Sequence, residues 1–237
     1  MNIKEILKSA TADFKIQLND TQISQLERYF ELLTEWNEKI NLTAITDVEG
    51  VAIKHFADSL TFFNCVDVPE NSRIIDVGTG AGFPGIVLKI ARPDIELTLL
   101  DSLNKRLVFL DTVLSEIGLS AQLIHSRAED GGQDINLREN FDIVVSRAVA
   151  QLNVLSEYCL PYARLGGSFV ALKGPDAENE ILNAKKAVQI LGGKLKKPFK
   201  FSLPNDGGER TIIVIEKNQP TPDKYPRNSG KIKAKPL

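Results

Sequence analysis

The apolar positions of this chain change their period part-way along it. Through the first 65 residues they recur at helical spacing: Ile3, Ile6, Leu7, Ala10, Phe14 and Leu18, then Ile23, Leu26, Phe30, Leu33 and Ile40 with Tyr29 and Trp36 beside the stripe, then Val51, Phe56, Leu60 and Phe63. Such stripes predict amphipathic helices over 3–18, from a cap at Asp20 or Thr21 to about residue 40, and from a cap at Asp47 to about Asn64. Asn41-Leu42-Thr43-Ala44-Ile45-Thr46 separates the second from the third. After Pro69-Glu70-Asn71-Ser72 the pattern becomes short apolar runs, at 74–77, 96–101, 121–125, 141–146 and 168–172, most of them separated by helical stripes at 85–91, 103–117, 152–163 and 177–191. Runs of this length and composition read as buried parallel strands. Two last runs, 195–203 and 211–216, are joined only by Pro204-Asn205-Asp206-Gly207-Gly208, which predicts a hairpin.

Five strand–helix units closed by a hairpin imply an α/β fold. The sheet has seven strands, mostly parallel, with one antiparallel strand, in the Rossmann-like order of class I S-adenosylmethionine-dependent methyltransferases. A dehydrogenase would continue with further parallel units. The expected organisation is an N-terminal helical cap over 1–68, a cofactor-binding domain over 69–220 and a basic C-terminal tail over 221–237.

The first strand leads into Asp76-Val77-Gly78-Thr79-Gly80-Ala81-Gly82-Phe83-Pro84-Gly85. A strand, a glycine-rich turn and a helix start make the ligand corner of a doubly wound sheet. The stretch also satisfies the loose dinucleotide pattern, which alone is weak. Asp76 argues for a cationic ligand such as S-adenosylmethionine over a pyrophosphate, with Gly78 and Gly80 lining its path. Asp101 ends the next run at the spacing that holds a ribose hydroxyl pair, although a cap on the following helix is an equal reading. Ligands in such sheets sit beyond the strands' carboxyl ends, where Glu129, Arg147 and Lys173 also fall. Glu129 and neighbouring amides suit an adenine edge. The fourth strand ends in Ser146-Arg147-Ala148, with neither an Asn/Asp-Pro-Pro-aromatic motif nor a cysteine nucleophile. An arginine donates and does not act as a base, which fits an acceptor with a free lone pair, such as a purine N7. No general base is expected, and Arg147 is the nearest catalytic candidate.

Composition narrows the picture. The chain of 237 residues is 43% hydrophobic and 25% charged, as in a soluble globular protein. No apolar run approaches the ~20 residues of a membrane span. Cys65 and Cys159 stand apart, and no Cys/His cluster points to a metal. A cytoplasmic monomer is expected. The net charge of −2 hides an asymmetry: residues 194–237 hold eleven Lys/Arg and four Asp/Glu, +7, which leaves −9 on the remainder. A basic end on an acidic body points to nucleic acid. Lys173, Arg210, Arg227, Lys231, Lys233 and Lys235, with His55 from the helical region, are the RNA-binding candidates.

With these residues in view, the chain resembles the RsmG, or glucose-inhibited division protein B, family of ribosomal RNA methyltransferases over nearly its whole length. The resemblance rests on Asn41-Leu42-Thr43-Ala44, His55-Phe56-Ala57-Asp58-Ser59-Leu60, the glycine-rich stretch from Asp76 to Gly85, Ala128-Glu129, Ser146-Arg147-Ala148 and Tyr225-Pro226-Arg227. It implies methylation of a guanine N7 in 16S rRNA, free or in the small subunit, with S-adenosylmethionine as donor. Position by position it implies that Gly78, Phe83, Ala128, Glu129 and Arg147 contact the cofactor, while the spacing argument leaves Arg147 between cofactor and base. The family's tail continues with a Gly-Thr-Pro-like stretch, where this chain has Ser229-Gly230-Lys231-Ile232-Lys233. For His55 and Asp58, a substrate role and a buried pair packing the cap on the core stand as equal readings. The alternatives in other classes are a nicotinamide-dependent oxidoreductase using the same glycines, and an RNA-binding module without catalysis. A small-molecule or protein methyltransferase is the nearest competitor in chemistry.

Overall fold

The structure is a computed structural model, and it describes residues 3–12, 14–147, 150–175 and 177–237. Ala148, the last residue of the motif after the fourth strand, lies outside the described residues. Five parallel strands form the sheet's main body: β1 (Arg73–Val77), β2 (Glu96–Asp101), β3 (Gln122–His125), β4 (Phe141–Arg147) and β5 (Ala163–Lys173). Their spatial order is β3-β2-β1-β4-β5, followed by β8 (Gly208–Lys217), which runs antiparallel to β5. Beyond β8 lie two short strands, β6 (Gly193–Leu195) and β7 (Phe199–Leu203), both paired to it. The run read as one strand over 195–203 is thus broken at Lys196-Lys197-Pro198, where proline cannot donate to a ladder. Eight segments therefore fill seven positions, with one strand antiparallel to the rest.

The helices follow the periodic stripes. These are α1 (Ile3–Ala12), α2 (Asp20–Ile40), α5 (Gly85–Ala91), α6 (Asn104–Glu116), α8 (Leu152–Cys159) and α9 (Ala177–Ile190). Three features depart from expectation. The first helix ends at Ala12 instead of continuing to residue 18, and Lys15 has φ 58°. The cap of α2 is Asn19, one residue ahead of Asp20: its side chain accepts from Gln22 N while Gln22 Oε1 accepts from Asn19 N, a reciprocal capping box. The third helix is not uniform. It winds as α3 (Val48–Val51), one π turn (Ala52–Ala57), α4 (Asp58–Leu60) and a 3₁₀ turn (Thr61–Asn64). π turns are rare and cluster at functional sites. This one carries His55.

One hydrophobic core joins the N-terminal helices to one face of the sheet, with Leu7, Tyr29 and Phe56 packed together with Ile86, Leu99 and Phe109. Polar contacts reinforce the seam. Gln22 Nε2 donates at 3.0 Å to the carbonyls of Ile90 and Ala91, and Gln25 Nε2 donates at 2.8 Å to that of Ile117. These are the orphan carbonyls at two helix C-termini. A second core fills the opposite face under α8 and α9 and includes Tyr225. The C-terminal segment is therefore packed: Arg138 donates to the carbonyls of Thr221 and Tyr225 at 2.7 and 2.8 Å, and α10 (Ser229–Ala234) buries Ile232.

Candidate active site

Because β1 lies between β2 and β4, its end is held from both sides. Gly78 N and Thr79 N donate to Leu100 O at 2.9 and 3.1 Å, and Ser146 Oγ donates to Val77 O at 2.8 Å. The chain then turns through Gly78 (φ 72°) and Gly80 (φ 62°), conformations that side chains resist. A Cβ on Gly78 would meet nothing within 4 Å, and one on Gly80 only the Gly78 carbonyl at 4.0 Å. Both glycines border open space. At Gly85 the reason is packing: a Cβ there would lie 2.6 Å from Leu99 Cδ2 and 2.8 Å from Asp76 Oδ2.

Asp76 is fully buried under this turn. Its Oδ2 accepts from Thr79 Oγ1 at 2.8 Å and from Gly85 N, at the start of α5, at 2.9 Å. Its Oδ1 is buried without a hydrogen-bond partner among the described residues. Burial pushes the carboxyl up to about 6. An orphaned acid oxygen on the strand that leads into two open glycines fits a cation-bearing ligand, because a nearby positive charge would favour the ionised form. The donor set thus fits S-adenosylmethionine.

Asp101, 2% exposed, does more than end β2. Its Oδ2 accepts from Gly80 N at 2.9 Å and from Arg106 at 3.3 Å, and its Oδ1 accepts from Leu103 N at 2.9 Å. It ties the glycine turn to the next strand, a role that spacing did not reveal. A carboxylate offers about four lone pairs, so one remains for a ribose hydroxyl. Asp101 is not the N-cap of α6; that position is Leu103. Glu129 sits on α7 (Ala128–Gly131), buried and with no hydrogen bond to any described residue, while the Ala128 carbonyl accepts from Tyr162 Oη at 2.7 Å.

Phe83 joins this corner to a second feature. Its ring is stacked on Tyr29 (centroids 5.3 Å, 24°) and on His55 (4.5 Å, 21°), and the Arg147 guanidinium carbon lies 4.8 Å from its centre. Tyr29 Oη donates to the Ala81 carbonyl within the same turn. Arg147 Nη1 donates to Lys54 O at 3.1 Å and pairs with Asp58 at 3.4 Å, and its Nη2 donates to His55 Nδ1 at 3.1 Å. Asp58 also pairs with Arg210, at 3.3 Å, on the β7–β8 hairpin. Burial raises the Asp58 carboxyl above its ordinary range even with two guanidinium groups against it. Burial, then the Arg147 charge, drives His55 down to about 3, so its ring is neutral.

These residues wall a cleft of about 330 Å³, lined by Lys54, His55, Asp58, Arg147, Leu172, Lys173, Gly174 and Arg210. Lys173 is pinned by Glu180 at 2.7 Å. Four cations against one lining carboxylate suit an anionic or acceptor-rich occupant. The structure thus brings Asp76, Gly78, Gly80 and Asp101 into one bonded corner. Phe83 and Arg147 stand at its seam with a cleft that holds His55, Lys173 and Arg210. It does not bring in the tail lysines. Arg227 is committed to Glu157 of α8 at 2.7 Å, and Lys231, Lys233 and Lys235 are exposed around α10. Reasoning from strand ends missed Lys54, Tyr29 and Thr43. The Asn41–Ala44 break was visible, but the partner of Thr43, His55, lies twelve residues on.

The model for the family described as rRNA small subunit methyltransferase G matches residues 22–207. A protein of Lactococcus lactis subsp. cremoris named ribosomal RNA small subunit methyltransferase G is 52% identical over 94% of each chain. One of the same name from Desulforamulus reducens is 50% identical over 98% of this chain and 97% of its own. Among solved structures, a methyltransferase from Pyrococcus furiosus superimposes with TM-score 0.56 at 15% identity, covering 83% of this chain and 99% of that one. That last likeness speaks for the fold alone.

Proposed function

The chain belongs to the rRNA small subunit methyltransferase G family, and from that premise we propose how its two adjoining features carry out S-adenosylmethionine-dependent methylation of small-subunit rRNA at a guanine N7. The observation that carries the reading is the juxtaposition of an open glycine turn with a buried orphan carboxylate oxygen and a cleft walled by four cations. Gly78 and Gly80 leave room for the cofactor, Asp76 supplies the counter-charge, Asp101 offers its remaining lone pair to the ribose, and Ala128 and Glu129 lie where the adenine is held. Phe83 and Arg147 close the corner on the cleft side. When bound, S-adenosylmethionine supplies an electrophilic methyl group on its sulfonium.

The cleft's cations suit the target nucleotide: Lys54 and Lys173 as phosphate partners, the guanidinium groups as donors to the guanine O6, which leaves the N7 lone pair free to attack. A guanine N7 carries its own lone pair, so no side chain must remove a proton first. What supports this reading is that the imidazole nitrogens in the cleft are engaged with Thr43 and Arg147. Catalysis then rests on alignment and on a fixed electrostatic frame. We place the protein in the cytoplasm as a monomer, where ribosomal subunits are assembled. The exposed tail lysines act as a secondary, sequence-independent grip on RNA. No helix among the described residues is long and apolar enough to cross a membrane, and no metal-ligating group of side chains is found among them. The test is to incubate the protein with labelled cofactor and undermethylated small-subunit rRNA and to map the product. Label at a single guanine N7 supports the reading; label on another atom or only on protein overturns it.

A further inference from the structure

His55 has a polar partner at each ring nitrogen, and those partners bear on which nitrogen carries the proton. Arg147 has donors only, so a hydrogen bond from it to the His55 Nδ1, 3.1 Å away, requires that nitrogen to be bare. Nδ1 also lies 3.1 Å from Lys54 O, but a hydrogen placed there would face the guanidinium's own N–H. Arg147 Nη1 donates to that carbonyl instead, also at 3.1 Å. With Nδ1 bare, the imidazole proton sits on Nε2, 2.8 Å from Thr43 Oγ1. In that form the Thr43 hydroxyl accepts it, and the same oxygen accepts from Ile45 N at 3.0 Å. Asn37 Oδ1 in turn accepts from the backbone N–H of Leu42 and Thr43, at 2.6 and 2.9 Å, fixing the loop after α2. The chain of bonds runs from the end of α2 to the guanidinium at the seam between corner and cleft.

We propose that Thr43 and His55 are positioning residues for methyl transfer: Thr43 holds the imidazole in its Nε2–H form, and the bare Nδ1 then accepts from Arg147 and keeps that guanidinium over the Phe83 ring at the edge of the cleft. The inference deepens the methyltransferase reading and rests on it for its kinetic consequence only. It makes His55 an acceptor and excludes it as the base. Losing the Thr43 hydroxyl frees the ring to take the other tautomer, whose Nδ1–H bonds to Lys54 O and displaces Arg147. Misplacing a reacting-site group by a fraction of its contact distance costs roughly tenfold to a hundredfold in rate.

The experiment compares wild type, Thr43→Val and Thr43→Ser by long-range ¹H–¹⁵N NMR and by single-turnover methyl transfer at saturating cofactor. The sequence has two histidines, so His55→Asn identifies the ring signal. Wild type is expected to show a protonated Nε2 and a bare Nδ1. Thr43→Val is expected to mix the tautomers and lower the rate roughly tenfold, and Thr43→Ser to restore both. A protonated Nδ1 in wild type overturns the inference without any variant. So does a Thr43→Val protein with an unchanged rate. If wild type itself transfers no methyl to rRNA, the functional reading fails while the tautomer result still stands or falls alone.

Discussion

The glycine corner and the basic cleft share Phe83 and Arg147 but are built on opposite principles. The corner is local: twenty-six residues, from Asp76 to Asp101, hold both of its carboxylates and both of its open glycines. It is made by backbone conformation and holds an uncompensated acid. The cleft is assembled from Thr43, the 54–58 turn, the ends of β4 and β5 and the β7–β8 hairpin. It is made by side chains that compensate one another, two arginines about one aspartate. A feature set by backbone geometry tolerates exchange of the residues around it and fails when a Cβ enters. A feature set by paired charges fails when one partner is removed.

Asp58 is where that contrast breaks most sharply. Asp58→Ala strands two guanidinium groups. Breaking a fully buried pair costs ~3–5 kcal/mol, and the open cleft on one side lowers the expectation to about 2–4 kcal/mol. Urea unfolding measures it, and a loss below half a kcal/mol would mean that the arginines find water as readily as they find the carboxylate. Next come two glycines of one turn. Gly85→Val should lose about 1–3 kcal/mol of stability through overpacking against Leu99 and Asp76. Gly78→Val should pay only ~1–2 kcal/mol of backbone strain yet abolish most S-adenosylhomocysteine binding, because its side chain enters the open space. Paired melting and calorimetry on the two variants separate packing from access. If both lose stability alike and both bind, the open space is not the ligand's.

Acid titration gives almost no net effect in wild type and sets the regions against each other. His55 stays neutral to about 3 in the folded protein, whereas an unfolded histidine takes a proton below ~6.5. Its contribution to stability is therefore lost as pH falls from that value toward 3. Asp76 titrates at about 6 when folded and near 3.9 when unfolded. The folded state holds its proton more tightly, so this contribution is present at low pH and is lost as pH rises through 6. Between about 4 and 6 the two slopes oppose each other, each at most about 1.4 kcal/mol per pH unit. Unfolding measured across that window should be nearly flat for these two groups in wild type, fall with acid in Asp76→Asn and rise with acid in His55→Asn. Parallel curves in all three proteins would remove both assignments.

The difference between the regions also decides what the sequence disclosed. The strand β2 was legible to the residue, Glu96 to Asp101, because a buried strand is a contiguous apolar run. The antiparallel closing strand followed from two runs with no helix between them. Where tertiary contact overrides local pattern, reading stopped short. The stripe through Phe14 and Leu18 looked like helix, yet the chain leaves α1 at Ala12; Phe14 packs edge-on against Phe201 of β7. The π turn at 52–57 leaves no mark on periodicity. The tail's charge was plain, but Tyr225 and Ile232, which bind it down, look like ordinary apolar residues in a polar segment. Asp101 was found for its place at a strand end, and its bond to Gly80 N needed the fold to be seen. Arg210 was one basic residue among eleven until Asp58 came beside it.

In the proposed reading, the corner loads cofactor and the cleft loads RNA. The most direct test is one paired measurement on Gly78→Val and Arg210→Ala: S-adenosylhomocysteine affinity by calorimetry, and methyl transfer to undermethylated small-subunit rRNA at saturating cofactor. Gly78→Val should lose cofactor affinity at least tenfold, about 1.4 kcal/mol. Arg210→Ala should keep that affinity within about twofold while its transfer rate at limiting RNA falls about tenfold, the value of one charge-assisted contact. If Arg210→Ala loses cofactor in step with Gly78→Val, or transfers methyl to limiting RNA as fast as wild type, the division between corner and cleft is wrong.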